Sequence, residues 1–198
     1  MEAEVFLELL KAVVALFIIV DPVGVLPFVV SLTGGLSSHE RRRLVDRSVV
    51  VGTVLLLVFS IGGQGVLWVL GIDLSSFTVA GGLLLLILAV RILVQGGEGW
   101  GTQGKSSGIF PLAFPLLAGP GAITTVIFSI NALGIPFSVI PVLIVMGLTW
   151  LILRSVEPML RIIGESGADA VARIMSVFVA AIGVQYVVSG LSEMSSLR

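Results

Sequence analysis

The sequence contains no cysteine and only one histidine among its 198 residues. Without cysteine the chain can form no disulfide, and it has no thiolate to act as a nucleophile or as a metal ligand. The single histidine, His39, lies among glutamate and arginine residues and is interpreted as a solvated surface residue. The sequence therefore indicates no cofactor and no metal site.

Charged residues are also scarce, since Asp, Glu, Lys and Arg make up 12% of the chain. Soluble domains average about 25% of these residues. The formal net charge of −1 gives no reason to expect a nucleic-acid partner. Because 57% of the residues are hydrophobic, the composition is that of an integral membrane protein.

Long apolar runs such as the one at 79–90 do not alternate between apolar and polar residues, so helices rather than barrel strands are predicted. A spanning helix needs about 20 predominantly apolar residues. The first candidate span is interpreted as retained, because acidic residues stand where a cleaved signal peptide would be basic. Six segments meet the length requirement, at 5–31, 46–70, 75–95, 108–131, 136–155 and 170–191.

The basic residues are distributed unevenly between the two ends of these spans. If the spans alternate in direction, nine of the eleven Lys and Arg residues fall on one side of the membrane. Lys11 and Arg198 fall on the other side. Since cytoplasmic loops are enriched in Lys and Arg, both termini are predicted to lie outside the cytoplasm. The expected location is the cytoplasmic (inner) membrane.

A Gly/Ser-rich stretch at 96–107 divides the chain almost at its midpoint and is typical of a flexible linker. The sequence thus predicts a single membrane domain made of two three-helix halves, at 1–95 and 108–198. The halves resemble each other, since the third and sixth spans both follow a short turn, at Gly71 and Gly164. With three spans in each half, the second copy enters the membrane from the opposite side. The predicted fold is an all-α polytopic membrane protein built as two inverted repeats.

Proline and glycine interrupt the first span. Asp21, Pro22 and Gly24 lie within four residues, and Pro27 follows shortly after them. Proline removes a hydrogen bond from a helix and clashes with the preceding turn, while glycine adds backbone freedom, so about one turn should unwind. A carboxylate inside a bilayer is costly, so Asp21 is interpreted either as a functional group on a pathway or as a cap on the next half-helix.

The fourth span is interrupted in a similar way. Broken helices at matching places in two halves are typical of the binding sites of transporters. Pro115 begins the interruption, and a set of small and polar residues continues it: Ala118, Gly119, Pro120, Gly121, Thr124 and Thr125.

Together the two breaks suit a small zwitterion. The half-helix that begins near Gly121 would offer free N–H groups and a positive dipole end to a carboxylate. The two threonines would add hydroxyl donors. Asp21 and the freed carbonyls near Gly24 and Ala118 would take an ammonium group, a proton or a sodium ion.

Four stretches of the chain carry a family resemblance: DPVGVLPF (21–28), SLTGGLSSHERRR (31–43), FTVAGGLLLLILAV (77–90) and PLAFPLLAGPGAITT (111–125). Their combination and order resemble the MarC family of bacterial and archaeal inner-membrane proteins. The resemblance implies six spans with both termini outside, and transport of small neutral amino acids such as glycine and alanine. The family's two motifs fall on the breaks, at Asp21, Pro22, Gly24 and Pro27 and at Gly119, Pro120, Gly121 and Thr124.

Two positions depart from the family pattern. Val25 stands where asparagine is frequent, which removes an expected polar contact from the first break. Ser176 stands where glycine is frequent, which alters the expected packing of the sixth span.

The sequence therefore predicts a secondary transporter of small neutral amino acids that works by alternating access. The carboxylate of the substrate is expected at the 119–125 break, and its ammonium group at the 21–24 break. Asp21 is the expected site of proton or sodium coupling. Bulky apolar side chains are expected to limit the size of the substrate, at Phe17, Leu26, Phe114 and Ile123.

Other functions are compatible with the same features. A passive channel, or an exporter of another small solute, would use the same breaks, and a membrane scaffold would need no ligand. An enzyme is not expected, because the predicted span interiors hold no histidine, no cysteine and no second carboxylate for acid–base catalysis. The preferred substrate, the direction of transport, the coupling ion and a homo-oligomeric state are left open.

Overall fold

The computed structural model of the protein describes residues 2–33, 36–95 and 108–196, and every regular element within these ranges is a helix. The all-α prediction is therefore confirmed. The predicted linker at 96–107 lies outside the described residues, so the division of the chain into two halves stays a prediction.

The helices of the first part of the chain are α1 (Glu2–Val20), α2 (Pro22–Thr33), α3 (Ser38–Gly62), α4 (Gly65–Val69) and α5 (Leu74–Gln95). The second part begins with the short helix α6 (Ile109–Pro111) and a π-helical turn (Leu112–Leu117). The long helices of this part are α7 (Pro120–Leu133), α8 (Ile135–Arg154) and α9 (Val156–Ser196). A kink at Gly164, which has a φ of 69°, divides α9.

Among the described residues, five helical segments are long and apolar enough to cross a bilayer. A bent pair, Ile109–Leu117 and Pro120–Ile130, meets the same criteria together and makes a sixth if it is one span. The fold is thus that of a multi-pass helical membrane protein, as predicted. The five segments are Glu4–Val30, Ser38–Gly62, Leu74–Val94, Ile135–Pro158 and Arg173–Ser195.

The second span lies earlier in the chain than the predicted 46–70. Ser37 and Glu40 form a capping box, in which each side chain accepts a hydrogen bond from the other residue's backbone N–H. At the other end, Gly63 takes a φ of 55° and terminates α3. The capping box places Arg41, Arg42 and Arg43 in the first turns of α3, so this helix begins before the predicted span.

Helices from the two parts of the chain pack against each other in corresponding pairs. α1 contacts α7, α3 contacts α8, and α5 makes the most extensive contact of all with α9. Gly71 before α5 and Gly164 within α9 both have a left-handed backbone, with φ of 67° and 69°. An inverted repeat would produce this pairing, although the repeat itself stays a prediction.

Polar contacts fix the α3–α8 pair at both ends. Asp46 of α3 accepts a hydrogen bond from Trp150 Nε1 at 2.7 Å and forms an ion pair with Arg154 at 3.1 Å. At the opposite end, the hydroxyls of Ser60 and Ser138 are 3.0 Å apart and both are buried. The partly exposed ion pair adds little stability alone, so packing along the two helices holds them together.

Glycines allow α5 and α9 to approach closely. A Cβ on Gly82 would lie 2.6 Å from the carbonyl oxygen of Gly183, and one on Gly183 would lie 2.8 Å from the Gly82 oxygen. Further along the pair, a Cβ on Gly190 would lie 2.7 Å from the Ser75 oxygen. Small residues at such contacts are the usual means by which helices associate in a membrane.

Substituting Gly82 with alanine is expected to lower the stability of the protein by about 1–3 kcal/mol, because overpacking forces the backbones apart. The matched control is Gly147→Ala in α8, where nothing lies within 4 Å of the added Cβ. That change should be neutral or stabilise the helix by up to about 1 kcal/mol. Thermal unfolding in detergent measures both, and equal melting temperatures for the two variants would contradict this packing.

Candidate functional site

The first break is confined to a single residue, Asp21, which lies between α1 and α2 with a φ of 43°. Its N–H donates to the Phe17 oxygen at 3.0 Å, and its own oxygen accepts from the Val25 N–H at 3.0 Å. α2 then runs through Gly24 and Pro27. The expectation of one unwound turn is therefore wrong, because a proline in the first helical position, here Pro22, starts a helix without needing its missing N–H.

The Asp21 side chain caps α2. Its Oδ1 accepts a hydrogen bond from the Gly24 N–H at 3.0 Å, as expected of an aspartate before the first helical residue. A Cβ on Gly24 would overlap the same carboxylate, so glycine is the residue that leaves room for it. Within the described parts of the chain, no ion pair involves Asp21. The carboxylate is exposed rather than buried, although it lies well inside the first span.

The second break is sharper and is enclosed by protein. Phe114 takes an extended backbone within the π-helical turn, its peptide bond to Pro115 is cis, and the chain then bends by 52° before α7 begins. Ala118 and Gly119 at the bend are buried. A Cβ on Gly119 would overlap the Pro115 carbonyl oxygen, so this position requires glycine.

Pro120, in the first position of α7, is buried and packs against α5. The contact is made by Gly81, since a Cβ on that glycine would overlap the Pro120 ring. Both half-helices, α2 and α7, therefore begin with a proline in their first turn.

The threonine hydroxyls donate hydrogen bonds within their own helix. Thr124 Oγ1 donates to the Pro120 oxygen at 2.8 Å, and Thr125 Oγ1 donates to the Gly121 oxygen at 2.9 Å. The predicted role of both residues as donors to a substrate carboxylate would require them to give up these bonds.

The two breaks meet at Gly121. A Cβ on this residue would lie 3.1 Å from Cγ2 of Ile19, which is two residues before Asp21. The same Cβ would lie 2.6 Å from the hydroxyl of Tyr186 on α9, so this hydroxyl lies against the start of α7. The Gly121 N–H has no partner within its own helix, because it belongs to the first turn.

A cavity of about 360 Å³ lies between the breaks and α9. Asp21 and Gly24 line it from the first break, and Pro115 and Leu116 line it from the second. Most of the remaining lining is apolar, and Phe28 and Leu85 are fully buried members of it. The described residues contain no group of three His, Asp or Glu side chains that could hold a metal ion.

Two of the ten predicted site residues, Asp21 and Gly24, line this cavity. The other eight lie outside the lining, either in the second break or within the first two turns of α2 and α7: Pro22, Pro27, Ala118, Gly119, Pro120, Gly121, Thr124 and Thr125.

The side chains expected to limit substrate size lie outside the lining, within the described parts of the chain. These are Phe17, Leu26, Phe114 and Ile123. Their place is taken by Phe28 and by apolar side chains of α9.

The α9 wall of the cavity was missed by sequence reasoning. It is formed by Met175, Phe178, Val179, Ile182 and Tyr186. These residues recur at the spacing of one helical face, and Tyr186 is the only tyrosine in the chain. A lone tyrosine on an otherwise apolar face was the feature that could have identified this wall.

The model of the MarC family, described as "MarC family integral membrane protein", matches residues 6–195. No solved structure matches the chain. An Archaeoglobus fulgidus protein named "UPF0056 membrane protein" is 36% identical over 190 residues, which cover 90% of this chain and 89% of the relative. An Aquifex aeolicus protein of the same name is 33% identical over 199 residues, covering 93% of this chain and 92% of the relative.

A third relative, from Escherichia coli, is named "UPF0056 inner membrane protein YhgN". It is 29% identical over 191 residues, covering 93% of this chain and 96% of the relative. The family match spans nearly the whole chain and agrees with the helical segments described above. This protein therefore belongs to the MarC family of integral membrane proteins and is a multi-pass membrane protein.

Proposed function

We propose that this protein is a secondary transporter of small neutral amino acids, of the glycine and alanine class, that works by alternating access. The observation that carries the proposal is a cavity between two helix breaks that holds a carboxylate, Asp21, inside a membrane span. Discontinuous helices form the substrate sites of many transporters. An ionisable residue inside a span usually faces a pathway or a ligand.

The chemistry of Asp21 favours a cationic ligand. One carboxylate oxygen is held by the Gly24 N–H, and no basic side chain neutralises the group within the described residues. An ammonium group, a proton or a sodium ion would supply the missing positive charge. We assign the ammonium group of the substrate to Asp21, and the same carboxylate is the proposed site of proton or sodium coupling.

The size and lining of the cavity also suit a small organic solute. Ligand sites commonly measure about 300–1,000 Å³ and are mostly apolar, with a few polar groups that orient the ligand. A volume of about 360 Å³ lies at the lower end of this range. The proposed arrangement is an inner-membrane protein with both termini outside the cytoplasm, on the basis of nine basic residues on one side against two on the other.

A passive channel is the second candidate, because the cavity is partly open. The two are distinguished by uptake of labelled glycine and alanine into proteoliposomes, with and without unlabelled substrate trapped inside. A carrier gives uptake that saturates and that accelerates when substrate is trapped inside. A channel gives flux that neither saturates nor accelerates. Absence of uptake by folded protein, at both acidic and neutral pH, would contradict the amino-acid assignment.

A further inference from the structure

Tyr186 places a hydroxyl at the side of the cavity that faces the second break. The residue is half-buried in α9, and its hydroxyl lies against Gly121 at the start of α7. Because the Gly121 N–H belongs to the first turn of α7, it is free to donate to the tyrosine oxygen. The hydroxyl thus occupies the position at which the sequence predicted a substrate carboxylate.

The hydroxyl hydrogen of Tyr186 remains available. Among the described residues, no acceptor lies within hydrogen-bonding distance and geometry of it, whereas both threonine hydroxyls of α7 are already donating. When its oxygen accepts from the Gly121 N–H, the hydroxyl becomes a better donor, since hydrogen bonds in a chain polarise one another. The positive end of the α7 dipole further favours an anion at this point.

The polar side chains of the cavity are then of two complementary kinds. Asp21 supplies a negative acceptor at the first break, and Tyr186 supplies a neutral donor at the second. The rest of the lining is apolar apart from backbone groups, so neither side chain has a polar competitor within the described residues. This arrangement matches a molecule that carries one ammonium group and one carboxylate.

We propose that Tyr186 binds the carboxylate of the substrate through its hydroxyl, in the role that the sequence assigned to the two threonines. The inference rests on the proposed function, since it names a specificity-determining residue of the same site. In this arrangement the Gly121 N–H holds the tyrosine oxygen, and glycine leaves room for the hydroxyl, since a Cβ would lie 2.6 Å from it.

The first test is Tyr186→Phe, which keeps the ring in the cavity wall and removes only the hydroxyl. Dissociation constants of alanine and of ethylamine, which is alanine without its carboxylate, are measured on purified protein by calorimetry. The variant should bind alanine about tenfold more weakly and ethylamine as the wild type does, because only alanine loses a charge-assisted hydrogen bond. The melting temperature of the unliganded variant should stay close to that of the wild type.

A second variant checks the contact between Tyr186 and Gly121. Gly121→Ala should weaken alanine binding in the wild type, since its Cβ would displace the hydroxyl. In the Tyr186→Phe background the same change should weaken alanine binding little further, because both substitutions act through the tyrosine hydroxyl. Fully additive losses would overturn the inference.

The remaining outcomes separate the inference from the proposed function. If the wild type binds alanine and Tyr186→Phe binds it equally well, the role of Tyr186 is overturned and the proposed function stands. If Tyr186→Phe weakens the binding of alanine and of ethylamine equally, the carboxylate-binding role is also overturned, because the lost affinity would then come from altered packing. A folded wild type that binds neither glycine nor alanine overturns the proposed function together with the inference.

Discussion

Replacing Asp21 with asparagine is expected to lower the rate of alanine exchange about ten- to a hundredfold. The proposed site holds the ammonium group of the substrate by the negative charge of this side chain. A hydrogen bond to a charged group contributes more than one between neutral groups, so the loss should appear mainly as weaker substrate binding. Exchange by reconstituted protein, measured over a range of alanine concentrations, gives this comparison.

Asparagine is the substitution that isolates the charge. It caps helices about as well as aspartate and also tolerates a positive φ, so the hydrogen bond from Gly24 and the φ of 43° can both be kept. Alanine would remove the cap as well as the charge. The matched control is Asp73→Asn, which neutralises an exposed carboxylate outside the spans and should leave exchange unchanged. Wild-type exchange by Asp21→Asn would contradict the assignment.

The same variant also tests coupling. If Asp21 carries the transported proton, the pH dependence of uptake should disappear in Asp21→Asn, because asparagine does not titrate. A pH dependence that survives the substitution would assign proton coupling to another group.

The spans and the breaks could be predicted because both depend on local properties of the chain. A run of about 20 apolar residues must span the membrane or be buried in protein, whatever the rest of the chain does. Pro22 and Pro120 each begin a new helix, since proline lacks the N–H that would continue the previous one. The error in the second span is also local, because hydropathy alone ignores the capping box at Ser37 and Glu40.

The composition of the cavity could not be predicted in the same way, because it depends on which faces of distant helices meet. The α9 span is apolar on nearly all sides, so periodicity did not show that Phe178 and Tyr186 face the cavity. That rotation is set by packing against other helices, above all by the close contact of α9 with α5 through Gly82 and Gly183. The hydrogen bonds of Thr124 and Thr125 could have been predicted from the sequence, since a threonine hydroxyl within a helix commonly donates to the carbonyl four residues earlier.

Gly24→Ala is expected to reduce exchange about tenfold or more while leaving the protein folded. The added Cβ would overlap the Asp21 carboxylate, which must then rotate away from its position in the cavity. Losing the cap destabilises the helix by about 1 kcal/mol, and alanine in place of glycine within a helix stabilises it by a similar amount. The melting temperature should therefore change little. The variant keeps the charge of Asp21 and changes only its position.

Gly24→Ala therefore tests the position of the Asp21 carboxylate, whereas Asp21→Asn tests its charge. Gly147→Ala is the control for a glycine-to-alanine change within a span, since its Cβ would contact nothing within 4 Å, and it should exchange alanine at the wild-type rate. The double variant Gly24→Ala with Asp21→Asn should be little worse than Asp21→Asn alone, because both changes remove the same contact. If Gly24→Ala exchanged alanine at the wild-type rate, the carboxylate would not need the position it has beside Gly24, and the ammonium group would have to bind elsewhere in the cavity.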